Sequence, residues 1–291
     1  MGWRTILVSK PAKLDLKLNY MVCRDSESTV RVHISEISVL IIETTAASIT
    51  TALLNELTKQ KIKIIFCDEK RNPSSELVPY FNSCDSSSKI RSQINWTNDS
   101  KGLIWTYIVR EKIRNQARVL EKFNEQKALK LYEYIDEIEF YDESNREGHA
   151  AKVYFNALFG MDFSRNKECA ENAALDYGYS ILLSCINREI VCCGYLTQIG
   201  IFHCNKFNHF NLGSDLMEPF RPIIDMLVKR GNLEKFESEQ KKYILNVLNY
   251  EFVIDGRRET LLNTMKLYVK SVFDALESCN PDLIKFFDYE L

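Results

Sequence analysis

The chain has 291 residues with a net charge of −2, 45% apolar and 27% charged residues. That composition is that of an ordinary soluble globular protein, the net charge by itself argues against a protein coated for nucleic acid although binding depends on where the charge lies, and no apolar run approaches the ~18 residues of a membrane span. The length exceeds what one compact core usually serves, so two unequal domains are expected.

From Trp3 to Phe66 the pattern is mainly β. Thr5 to Val8, Lys13 to Val22, Val30 to Ile34 and Ser38 to Ile42 are rich in β-branched or alternating apolar residues. Leu14, Leu16, Leu18 and Tyr20 alternate with Asp15, Lys17 and Asn19, which predicts one face in a core and the other in water. One helix interrupts the strands, with Ser48 as its cap and Leu53, Leu54 and Leu57 as its apolar stripe. Ile62 to Phe66 returns to strand and ends at the turn-like CDEKRNPSS. Asp15, Glu36, Glu43 and Asp68 read as surface residues, so this domain is expected to serve structure and self-association.

Around Asn82 to Asp99 the composition shifts to Ser, Asn and Asp. The boundary is placed there, giving a β-rich domain over 1–82 and a larger all-α domain over 83–291, an α+β chain. Helical spacing then runs through Ile104 to Val119, Glu121 to Tyr134, Leu175 to Val191, Leu216 to Val228, Glu237 to Phe252 and Glu259 to Leu276.

Nine cysteines without a CxxC pair or a secretory leader point to free, mostly buried thiols in a reducing cytoplasm. A zinc site from Cys192, Cys193, His203 and Cys204 is the alternative for the adjacent pair.

Ser144 followed by Glu147 has the spacing of a capping box, which alone would explain the glutamate. Glu147 also shares a helical face with Ala151, Tyr154 and Leu158, where a carboxylate needs a partner such as a cation. Both readings stay open. Asp215 and Glu218 are three apart, with Asp225 seven further on, and Asp215 would suit a helix cap. Converging carboxylates repel unless solvent or a cation intervenes. His203 lies in a polar loop, as a structural histidine or a ligand for Mg²⁺ or Mn²⁺. His149 points away from Glu147, and His209 lacks an acidic neighbour in sequence.

EGHAAKVYFNALFG, AALDYGYSILLSCI, GYLTQIGIFH and FNLGSDLMEPFRPIID resemble the CRISPR-associated spacer integrase, the universal adaptation protein. The opening MGWRTILVSKPAKLDLKLNYMVCR is similar to its type II subfamily. The resemblance implies an N-terminal β domain that dimerises and a C-terminal α domain with one divalent-metal site for Mg²⁺ or Mn²⁺. It assigns the metal ligands to Glu147, His203 and Glu218, with Asp215 and Asp225 as auxiliary acidic residues. Phe202 stands where the family often has a second histidine. Phosphate contacts are expected from Arg146, Arg165, Lys206 and Arg221, which lie near the site in sequence. The implied enzyme is a DNA integrase and endonuclease that inserts prespacer DNA by 3′-hydroxyl attack on CRISPR repeat phosphodiesters. Its implied partners are a second copy, a small ferredoxin-like dimeric adaptation subunit completing a heterohexamer, prespacer and leader-repeat duplex DNA, and other type II adaptation and effector proteins. No membrane is involved, and the setting is the prokaryotic cytoplasm. A metal-dependent repair nuclease and a non-catalytic DNA-binding scaffold are the competing readings.

Overall fold

The structure is a computed structural model that describes residues 2, 4–77 and 85–289. It divides into two compact units, Met1–Cys84 and Asp85–Leu291. The expected boundary at 82/83 lies outside the described residues.

The first unit contains β1 (Arg4–Val8), β2 (Ala12–Lys17), β3 (Tyr20–Arg24), β4 (Thr29–His33), β5 (Ile37–Ile42), β6 (Ala47–Ile49), α1 (Thr51–Lys59), β7 (Lys63–Cys67) and β8 (Pro73–Leu77). Its sheets run β1-β5-β7-β8 and β4-β3-β2-β6. β5, ISVLII, is buried at all six positions, as a strand flanked in parallel by β1 and β7 requires. Leu14, Met21, Ile37, Leu40, Leu53, Leu57 and Ile64 build the core.

Three expectations are corrected here. The run Lys13 to Val22 is a hairpin, because Leu18 and Asn19 take left-handed φ of 48° and 64° and turn the chain; Leu18 is 92% exposed. Thr50 caps α1, its hydroxyl accepting from Leu53 N, while Ser48 belongs to β6. Glu43 is buried, 3.4 Å from Arg71.

The second unit holds α2 (Ser86–Ile94), α3 (Asn98–Glu121), α4 (Glu125–Asp136), α5 (Arg146–Phe159), α6 (Ala170–Cys192), α7 (Asn211–Met217), α8 (Arg221–Gly231), α9 (Ser238–Leu245), β9 (Glu251–Ile254), β10 (Arg257–Thr260), α10 (Leu261–Ser278) and β11 (Phe287–Asp288). It is mostly helical but not all α. β9, β10 and β11 form a small antiparallel sheet where helix was expected up to Phe252 and from Glu259. Phe252 and Ile254 alternate inward with Glu251 and Val253 outward, a two-residue period that the helical reading absorbed.

α3 is the axis of this unit. Thr97 caps it by accepting from Ser100 N, and Trp105, Ile108, Ile113 and Leu120 along it are fully buried. It packs against α4, α5, α8 and α10. The helix expected over Leu216 to Val228 is broken. Pro219 has no N–H to donate, and a 3₁₀ turn over Glu218–Phe220 separates α7 from α8, turning Glu218 inward. Among the described residues no helix is long and apolar enough to cross a membrane. None of the eight described cysteines is in a disulfide, and only Cys67 and Cys185 of them are buried, so the expectation of mostly buried thiols does not hold.

A candidate metal centre on the axial helix

Glu147 sits in the first turn of α5, and its helix is not started by a capping box. Ser144 Oγ turns away to Glu137 O, and Asn145 makes no side-chain cap. Asp142 does the capping instead, its carboxylate accepting from Arg146 N at 2.8 Å and Glu147 N at 3.1 Å. To present that carboxylate, Tyr141, Asp142 and Asn145 all adopt positive φ, at 61°, 53° and 53°. Tyr141 is held there by its N–H to Thr106 Oγ1 on α3. Glu147 is thereby freed from cap duty.

What Glu147 meets is Lys112. The ammonium of this α3 lysine lies 2.5 Å from Glu147 Oε1 and 2.5 Å from Glu218 Oε2. Lys112 is buried, and burial alone would lower its pKa, but the charges of Glu218 and Glu147 more than offset this and raise it. Glu218 is 3% exposed. Burial pushes its carboxyl up, while Arg221 and Lys112 outweigh that and hold it below the ordinary range. Arg221 Nε donates to Glu218 Oε1 at 2.9 Å. Glu218 Oε2 has the Lys112 ammonium as its only close partner among the described residues. Asn115 on α3 fixes the turn by donating from Nδ2 to Pro219 O.

His203 is placed by Asp215, which is not a helix cap. Asp215 lies inside α7, fully buried, and accepts from the main-chain N–H groups of Ile201, Phe202 and His203 at 2.6, 3.1 and 3.0 Å. Its Oδ1 also lies 2.6 Å from His203 Nδ1. That hydrogen bond raises the imidazole pKa above 6.5, with Glu218 and Glu147 adding to it through space. Nε2 is left without a protein partner among the described residues. Gly200 is obligatory at this crossing. A Cβ there would run into the His203 carbonyl and lie 2.7 Å from Asp215 Oδ2. Phe202 stacks on buried Trp105, 4.5 Å between centroids at 2°, and Tyr141 donates its hydroxyl to Ile201 O. The pocket of about 480 Å³ beside this loop is lined by Lys101, Tyr141, Phe202, His203 and Lys206 among others.

The remaining expected residues divide. Asp225 is fully buried and accepts from the Tyr179 hydroxyl; burial raises its pKa to about 6 despite that bond. Arg146 pairs with Glu137, and Arg165 binds Asn172 and Asp176. Arg221 lies over the Tyr179 ring as well as against Glu218, and Lys206 is exposed beside Phe207. His149 and His209 form no part of the cluster.

Among the described residues no three of His, Cys, Asp and Glu stand close enough to hold a metal as placed. The donor chemistry nevertheless fits a hard divalent cation. Two carboxylates face one cationic group, the buried Glu218 oxygen has that cation as its close partner, and an imidazole is oriented by a carboxylate through its far nitrogen. Sequence reading missed Lys112, Asp142 and Tyr141. Only a lysine on a face otherwise buried, and an acid four residues before a helix start, hinted at them.

The family profile described as CRISPR associated protein Cas1 matches residues 6–252. The chain belongs to the Cas1 family. It is 32% identical to the CRISPR-associated endonuclease Cas1 of Neisseria meningitidis serogroup C (strain 8013), over 98% of this chain and 96% of that protein. Its fold is similar to that of a casposase bound to integration product, with a TM-score of 0.77 at 18% identity, covering 96% of this chain and 92% of that one. It is also similar to a chain of a Cas6-RT-Cas1–Cas2 complex, with a TM-score of 0.73 at 16% identity; this Cas1 chain is covered to 97% and spans 36% of the other.

Proposed function

We propose that this chain is the metal-dependent DNA integrase and endonuclease of CRISPR adaptation, which inserts prespacer DNA into the array. The observation that carries the reading is the convergence of Glu147 and Glu218 on one cationic group. His203 joins them as the third ligand, its Nδ1 fixed by Asp215.

Glu147, Glu218 and His203 Nε2 would hold Mg²⁺ or Mn²⁺. When bound, the ion polarises the phosphate and offsets the charge that builds on the attacking and leaving oxygens. The protein's own work is positional. Asp215 holds the ring proton on Nδ1, so that Nε2 is the nitrogen offered to the metal, and its three main-chain bonds stop the loop from drifting. A prespacer 3′-oxygen forms a new bond to the repeat phosphorus, the bond to the repeat's 3′-oxygen breaks, and the proton of the attacking hydroxyl is lost as the leaving oxygen gains one. The net phosphodiester count is unchanged, so holding both DNAs in line accounts for most of the acceleration. Water in place of the hydroxyl gives endonuclease cleavage. Arg146, Arg165, Lys206 and Arg221 supply phosphate contacts. The first unit dimerises, and a small ferredoxin-like dimeric subunit completes a heterohexamer in the prokaryotic cytoplasm, alongside the other type II adaptation and effector proteins. The likeness to the Cas6-RT-Cas1–Cas2 complex supports that partner.

Joining of a 3′-hydroxyl duplex to a repeat-bearing plasmid, with Mn²⁺ and the small subunit present, tests the reading. Wild-type protein joins at the repeat ends, whereas Glu218→Gln does not. Cleavage without joining would move the chain to the repair nucleases, and neither activity would make it a scaffold.

A further inference from the structure

We infer that Lys112 is a built-in competitor for the metal: its ammonium neutralises Glu147 and Glu218 until a divalent cation displaces it, and DNA phosphate then receives the displaced charge. The inference rests on the metal-site reading above and deepens it.

Lys112 Nζ makes the same 2.5 Å approach to one oxygen of each glutamate, so it stands where a cation shared by the two carboxylates would stand. Its side chain is 10% exposed, and Glu218's is 3%. Two carboxylates cannot share so dry a space without a positive charge between them. An ammonium and a divalent cation cannot share it either, because at a few ångströms in a weakly screened interior their repulsion exceeds what either gains by staying. Arg221, already against Glu218 Oε1, removes the option of Lys112 sliding along the same carboxylate. Loading the metal therefore expels Lys112, and a buried lysine without an anion is costly. Phosphodiester oxygen at the same centre supplies that anion. Metal and DNA are thus bound together more tightly than either alone, which keeps the site closed to metal until substrate arrives.

The test is Mn²⁺ affinity, read by electron paramagnetic resonance on the DNA-free homodimer. Lys112→Met and Lys112→Gln are predicted to bind Mn²⁺ about tenfold more tightly than wild type, and Lys112→Arg no more tightly. A lysine that merely props the fold predicts the reverse, weaker binding in the neutral variants. Adding duplex DNA ending in 3′-deoxynucleotides should tighten Mn²⁺ binding several-fold in wild type and less in Lys112→Met. Should a neutral variant unfold without metal, recovery of cooperative unfolding on adding Mn²⁺ supports the inference, and no recovery contradicts it. Equal or weaker affinity in folded Lys112→Met overturns it while leaving the metal site intact, provided Glu147→Gln still lowers wild-type binding. If Glu147→Gln changes nothing, the metal-site reading falls, and this inference falls with it.

Discussion

A single oxygen of Asp215 holds both ends of His203, accepting from its main-chain N–H at 3.0 Å and lying 2.6 Å from its ring Nδ1. The other oxygen holds the two preceding N–H groups. Asp215→Asn turns one of these oxygens into an amide that donates toward donors. It is expected to cost about 2–4 kcal/mol in urea unfolding and to return the His203 pKa toward 6.5 in an NMR titration. An unchanged imidazole titration would show that Asp215 does not set it.

Gly200 makes the same contact possible from the other side. Gly200→Ala leaves no room for the Asp215 carboxylate under the loop, so the loop must shift. A stability loss of about 1–3 kcal/mol is expected, together with loss of the raised His203 pKa. Wild-type values for both would mean the crossing is looser than the geometry states.

The two glutamates should separate in stability while agreeing in activity. Glu218→Ala leaves half-buried Arg221 without its carboxylate and buried Lys112 with Glu147 alone, and is expected to cost about 3–5 kcal/mol. Glu147, whose side chain is 22% exposed, leaves one cation that keeps Glu218, at a cost of about 1–2 kcal/mol. Strand transfer is lost in both. Calorimetry of the two variants would contradict the account if Glu147→Ala proved the more damaging.

Asp225 predicts a pH dependence. Its folded pKa of about 6 lies above the 3.8 of the free side chain, so the folded state holds the proton more tightly. Its stabilising contribution is complete below about 4 and fades as pH rises through 6. Asp225→Asn, neutral throughout, should therefore gain on wild type between pH 4 and 7, by up to about 3 kcal/mol. A constant difference across that range would sink this assignment.

Residue chemistry alone reached most of the first unit's strands and most helices because burial there follows a simple period, but it missed β6, whose Ser48 was taken for a helix cap, and β8, whose start was read as turn. It failed at Leu18, where two left-handed residues turn a run of alternation into a hairpin. It failed again at Phe252, where four residues are too few to separate a strand from a helix end. For the site, sequence spacing gave Asp215, Glu218 and the ambiguity of Glu147, and the family resemblance joined them to His203. Asp142 as the true cap was illegible, because its role depends on three positive φ angles. Lys112 was illegible for another reason: it comes 35 residues before Glu147, and only helix packing brings the two together.

Glu147, His203 and Glu218 are the expected ligands of one divalent cation. Anomalous diffraction from crystals soaked in Mn²⁺ tests this most directly. The prediction is a peak bonded to Glu147, Glu218 and His203 Nε2, with Lys112 Nζ moved out from between the carboxylates. No peak at that position, with Lys112 still bridging the two glutamates, would contradict it.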